Sequence, residues 1–340
     1  MTSWMEQEAR SAPDMLRQDL AAGDTAYARL GAQLRAAPPR HVLTVARGSS
    51  DHAASYFAYL AMSRLGRLVT SLPMSLVSLE QAPLQAEHTL ALAISQSGQS
   101  PDVIAPVRYF RDGGATTVAL VNDTASPLAQ AAEHTIGLAA GTERSVAATK
   151  SFIASLVAGL RLVAHWQDDA PLISAIQKLP EQLALAAQAD WSPVIELLAP
   201  ANRCMVVGRG LGLPIALEAA LKLKETSSLQ AEAFSGAEIK HGPMVLIEPG
   251  YPLLVFALRG PALPVQLQLA KEMRERGANV VLVAPPEVAE RDVTLPQASH
   301  PAFDPICAIQ AFYILAAQLA AARGLNPDQP RHLQKVTQTH

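Results

Sequence analysis

The chain has 340 residues, 49% of them hydrophobic and 17% charged, with a formal net charge of −3. That length suits two ordinary domains, and the apolar fraction is enough to fill two cores. The weakly acidic balance, free of long single-sign runs, excludes a general nucleic-acid footprint.

The two cysteines, Cys204 and Cys307, lie in apolar stretches and form no ligand spacing. Neither a disulfide framework nor a zinc site is indicated, and the nine scattered histidines give no metal signal. No cofactor is expected. The N-terminus carries Glu6, Glu8 and Asp14 and lacks the apolar core of a signal peptide. The longest apolar stretches, Phe152–Ala164 and Ala311–Ala322, read as too short or too interrupted to span a membrane, Arg161 breaking the first. The expected compartment is the cytoplasm.

In chain order, an N-terminal helical arm (1–30) precedes a first domain (31–175). A linking helix (176–198), a second domain (199–323) and a polar tail (324–340) follow. The two domains read as a duplication. His41–Gly48 matches Arg203–Gly210 at an offset of 162 residues, and Thr89–Ile94 matches Tyr251–Phe256 at the same offset. Val103–Phe110 and Pro264–Met273 have amphipathic helical spacing, and Ala115–Val121 and Ala278–Val283 read as short buried strands. Continuous apolar strands alternating with helices predict an α/β fold: two doubly wound parallel-sheet domains of three α/β/α layers. Ligands of such sheets bind at the carboxyl ends of the strands.

Two turns fall there. Ser95-Gln96-Ser97-Gly98-Gln99-Ser100 leads from a strand into a helix opened by Pro101, a backbone arrangement suited to an anion such as phosphate. The same residues also suit a simple helix cap. Arg47-Gly48-Ser49-Ser50-Asp51 is the other turn; Arg47 reads equally as a ligand contact or a solvated loop arginine. The equivalent of the first turn in the second domain, Ala257–Gly260, lacks hydroxyls, which predicts one phosphate site per chain. Lys222 and Glu225, three apart on a helical pattern, read first as a surface ion pair. His241 precedes a Gly-Pro break and sits on a loop, where an imidazole can reach a substrate.

Five motifs in order carry a family resemblance: Ser95–Ser100, Gly141–Lys150, Leu221–Glu225, Glu238–Pro243 and Asp328–Lys335. Together they resemble the isomerase half of glucosamine-6-phosphate synthase, a pair of tandem sugar-isomerase (SIS) domains, over nearly the whole chain. The resemblance implies that Ser49, Ser50, Ser95, Gln96, Ser97 and Ser100 hold a sugar phosphate, while Val146 and Ala148 line the sugar. It implies Glu225 as the base moving a proton between C1 and C2, with Lys222 beside it. His241 would open the sugar ring, in a homodimer whose subunits share active sites. Lys335 would stand where the synthase has its Schiff-base lysine. Ser100 replaces a usual Thr, Ala148 a common Ser, and Arg47 a small residue or Cys.

The chain enters the arm directly from Met1-Thr2-Ser3, without the synthase's glutamine-hydrolysing domain, and ends Lys335–His340 without the synthase's usual last residues. The expectation is therefore the catabolic reaction of a phosphorylated aminosugar: glucosamine 6-phosphate and water to fructose 6-phosphate and ammonia. A fructosamine-phosphate deglycase, a galactosamine-6-phosphate deaminase and a non-catalytic sugar-phosphate sensor are the competing readings. No nucleic-acid or membrane partner is expected.

Overall fold

The computed structural model describes residues 2–335; residue 1 and residues 336–340, the end of the expected tail, lie outside the described residues. The chain divides into two compact units. The first holds 14–143, 150–177 and 334–335; the second holds 2–13, 144–149 and 178–333.

The first unit is built on strands β1 (His41–Val45), β2 (Val69–Ser71), β3 (Thr89–Ser95), β4 (Thr116–Val121) and β5 (His134–Gly137). Their order is β2-β1-β3-β4-β5 and every pairing is parallel. Leu90–Ile94 of β3 are all buried, as expected of a strand covered on both faces. Chain order reverses between β1 and β3, which run side by side from His41↔Thr89 to Val45↔Ala93. That reversal is the switch point where such sheets hold ligands, and the turns Arg47–Asp51 and Ser95–Ser100 leave it. Val45, Ala93, Val103, Val107, Val121 and Leu128 pack as one core beneath these turns. Arg161, expected only to interrupt an apolar stretch, is buried within the helix Lys150–Gln167. Its guanidinium bonds Asp24 Oδ1 at 2.7 Å and Asp19 Oδ2 at 2.5 Å, so the charge is paired where it is buried.

The second unit repeats the plan with β6 (Arg203–Gly208), β7 (Gln230–Ser235), β8 (Pro252–Phe256), β9 (Asn279–Ala284) and β10 (Val293–Thr294). The order β10-β9-β8-β6-β7 is the first sheet's order with β6 in the place of β1 and β8 in the place of β3, again all parallel. The duplication legible in sequence is thus a duplication of topology. Helix Asp304–Ala322 lies in this unit and, with the turn before it, is long and apolar enough to cross a membrane, yet 83% of its most apolar window is buried inside the protein. It is longer than the stretch Ala311–Ala322 suggested. Both thiols are buried, and burial pushes Cys204 up to about 12, the state of an inert core cysteine.

The segments outside the sheets are more broken than their composition suggested. The arm is two helices, Trp4–Ala21 and Thr25–Ala36, turned at Gly23 with φ +90°. The span 176–198, expected as one helix, contains Leu179–Ala186 and Ser192–Leu198, each with a proline in its first turn. Proline suits the first turn of a helix, where its missing N–H has no intrahelical partner to lose, so each one marks a new start.

Candidate functional site

In the first unit the serine-rich turn folds back on itself. Ser95 Oγ accepts the Gly98 N–H at 3.0 Å, and Ser97 Oγ accepts that of Gln99 at 3.3 Å. Each hydroxyl that accepts a backbone N–H keeps its own proton to donate. Gly98 has φ +63°, and a Cβ there would lie 2.6 Å from Ser126 Cβ, so position 98 admits glycine alone without rearrangement. Ser100 occupies the N-cap of helix Pro101–Asp112 but makes no side-chain cap bond, so simple capping does not account for it. Ser95, Gln96, Ser97 and Ser100 are all half-buried.

The neighbouring turn carries Gly48 at φ +53°, and half-buried Ser49 and Ser50 open helix Ser49–Leu65. Arg47 is not a freely solvated loop arginine. Its Nε donates to Asp102 Oδ2 at 2.9 Å, tying this turn to the start of the helix that follows the serine turn. The Asp102 side chain is buried while that of Arg47 is half-exposed. The two charges offset one another, leaving hydroxyls and helix N–H groups as the donors for an anion.

Beyond β5, Lys335 Nζ donates to Glu143 Oε2 at 2.7 Å. The Glu143 side chain is fully buried and also accepts from Ser151 N at 3.1 Å and Ser151 Oγ at 2.7 Å. Burial acts to raise its carboxyl, but the Lys335 ammonium and the Ser151 bonds outweigh burial and hold it below the usual carboxylate range.

In the second unit, helix Leu213–Ser227 places Glu218, Lys222 and Glu225 on one face. The surface ion pair read from the spacing is corrected: the Lys222 side chain is 1% exposed, that of Glu218 0%, and that of Glu225 20%. Lys222 Nζ bonds Glu225 Oε2 and lies 3.6 Å from Glu218 Oε1, which accepts the Tyr313 hydroxyl at 3.1 Å. One buried ammonium therefore serves two carboxylates, of which Glu225 alone reaches the surface. That geometry gives Glu225 an accessible carboxylate oxygen, held beside a buried ammonium and suited to taking a proton.

His241 ends the short turn Glu238–His241 and is exposed, with Gly242 at φ +138° enforcing the break predicted there. Val146 and Ala148 are half-buried in the segment 144–149. This segment is held by the Glu8 carboxylate, which accepts from Arg144 N, Ser145 N and Ser145 Oγ, and by Asp328 O, which accepts from Val146 N at 3.1 Å. Asp328 also caps the first helix, its two oxygens each accepting at 2.8 Å from Trp4 N and Met5 N. The turn after β8 fills itself: Arg259 Nε and Nη2 bond Asp304 at 2.7 and 2.5 Å, and Nη2 also bonds Ala298 O at 2.7 Å.

Glu8, Glu143, Glu218 and Tyr313 were not singled out in the sequence. Glu143 lies inside the Gly141–Lys150 motif and Glu218 one helical turn before Lys222, so a signal existed for both.

The sequence profile of the SIS domain matches residues 37–164 and 197–322. The glutamine–fructose-6-phosphate aminotransferase [isomerizing] of Symbiobacterium thermophilum is 34% identical, the alignment covering 98% of this chain and 58% of that protein. The chain thus spans little more than half the length of this curated relative. Among solved structures, a protein of Silicibacter pomeroyi provisionally named a phosphosugar isomerase matches with a TM-score of 0.90 and 41% identity, over 96% of this chain and 100% of its own. The glucosamine-6-phosphate deaminase of Thermotoga maritima matches with a TM-score of 0.78, covering 99% of this chain and 100% of its own; at 22% identity that likeness speaks for the fold alone.

Proposed function

The chain belongs to the SIS-domain family, and from that premise we propose that it is an aldose–ketose isomerising deaminase, converting glucosamine 6-phosphate and water to fructose 6-phosphate and ammonia. The observation that carries this reading is the buried ammonium of Lys222 paired with the accessible carboxylate of Glu225. A binding-only sensor has no need of such a pair.

In the proposed reaction Ser95, Gln96, Ser97 and Ser100, with Ser49 and Ser50, hold the phosphate through hydroxyl and backbone donors. Val146 and Ala148 line the sugar. His241 assists opening of the ring. Glu225 takes the proton from C2 and returns it to C1, which leaves an imine at C2; water adds to that imine and ammonia departs. Lys222, bonded to Glu225, holds the carboxylate in place between the two transfers. Lys335 acts on the open-chain sugar. We propose further that the protein is a homodimer sharing its sites through the His241 loop. Val245 and Leu246, close behind His241, are 87% and 49% exposed, an apolar face suited to a second copy.

The test is a panel of phosphorylated aminosugars and fructosamine 6-phosphates, with ammonia, free amino acid and fructose 6-phosphate all measured. Ammonia and fructose 6-phosphate in equal amounts from glucosamine 6-phosphate is the expected result. Glu225→Gln should lower kcat by about 10²–10⁴-fold with little change in KM. No ammonia, together with turnover of a different phosphosugar, would sink the deaminase reading.

A further inference from the structure

Glu143 takes no part in the steps above, yet few carboxylates in the protein are so thoroughly built in. Its side chain is fully buried, an expensive place for a charge unless it is paired and hydrogen-bonded. Ser151, in the first turn of helix Lys150–Gln167, clamps it through backbone N–H and hydroxyl, so the carboxylate also meets the positive end of that helix. With those bonds made, Oε2 still accepts the Lys335 ammonium at 2.7 Å, across 192 residues of sequence. The Lys335 side chain keeps 25% of its surface exposed, so the ammonium is held without being sealed off.

Glu143 is fixed from its other side as well. It follows β5, and the loop between is tied to the end of β4: Asn122 Oδ1 accepts from Ala140 N at 2.8 Å and Asn122 Nδ2 donates to Gly141 O at 2.9 Å. The strand order places β4 between β5 and β3, whose carboxyl end opens the serine turn. The loop that leads to Glu143 and the serine turn are therefore tied to neighbouring strand ends, one strand spacing of about 5 Å apart.

We propose that Glu143 is the positioning residue for Lys335: its carboxylate docks the ammonium at the carboxyl edge of the sheet that carries the serine turn, where the lysine faces a phosphosugar held there. This inference rests on the phosphosugar reading of that turn. A purely structural tether would have no need to keep a quarter of the lysine side chain open.

The test is a kinetic double-mutant cycle on whichever phosphosugar the protein turns over, so that losing the aminosugar reading leaves it intact. Glu143→Gln should lower kcat about 10²-fold, the scale of a misplaced reacting group, with KM within about twofold, and Glu143→Asp should recover part of the loss. In a Lys335→Met background Glu143→Gln should have no further effect. An equal loss in that background, or a loss confined to KM, overturns the proposal. An amine-reactive label, read at Lys335 by mass spectrometry, serves as the measurement independent of turnover. Lys335 should label several-fold faster in Glu143→Gln than in wild type, with circular dichroism reporting that the variant is folded. Unchanged labelling, or faster labelling with unchanged kcat, also overturns it.

Discussion

Lys222 shows how little spacing says about surroundings. An i, i+3 Lys–Glu pair looks the same in sequence whether the helix faces water or core, and here the face is buried by Tyr313 and its neighbours. Desolvating an ammonium is tolerable because Glu218 and Glu225 both approach it. Lys222→Met should therefore destabilise the protein by about 3–5 kcal/mol in urea unfolding, since it strands the buried Glu218 charge. Glu225→Gln, on the accessible side, should cost about 1 kcal/mol while removing activity. A Lys222→Met variant as stable as wild type would show that Glu218 does not depend on the ammonium. The residue types at this site were legible in the sequence; their burial was not, because burial depends on what a helix nearly a hundred residues away packs against.

Individual elements are completed by distant side chains. Helix Trp4–Ala21 contains Pro13, which cannot donate to the carbonyl of Ala9. Gln310 Nε2 supplies the missing donor to Ala9 O at 2.8 Å. At its start, the first free N–H groups of the helix meet Asp328 from the tail. Asp328→Ala should cost about 0.5–2 kcal/mol of unfolding free energy, the range for losing a cap, read in the same urea titration; no change would show that water replaces the carboxylate at no cost. The strands were easier to foresee than these helices. A strand covered on both faces must be apolar throughout, and β3 and β8 announce themselves that way. The arm and the linking segment are interrupted by glycine and prolines whose local effect outweighs helical composition.

For the molecule as a whole, duplication explains both what is shared and what differs. The two sheets have equivalent strand orders, but the turn after β3 offers hydroxyls while the turn after β8 occupies itself with the Arg259–Asp304 pair. An anion has donors to meet in the first and a carboxylate already in place in the second. The proposed sharing of sites between subunits is tested by mixing. Equal amounts of Glu225→Ala and His241→Ala chains, unfolded and refolded together, should regain roughly a quarter of wild-type activity, because random pairing of a two-fold dimer puts one intact site in each mixed dimer. No recovery in verified mixed dimers would exclude a borrowed histidine.

By itself the sequence determined the α/β class, the duplication, the turns at the carboxyl ends of β1 and β3 and the family. Each of these is written locally, in apolar runs, glycines and contiguous motifs, or in an offset between two copies of one pattern. Only the tertiary structure decided that Lys222 is buried, that Arg47 is answered by Asp102, and that Glu143 receives Lys335. Such pairings join positions tens to hundreds of residues apart and leave no periodic trace. The serine turn belongs to both sides of that division: its hydroxyls are plain in the sequence, but Gly98 packed against Ser126 is what holds them in place.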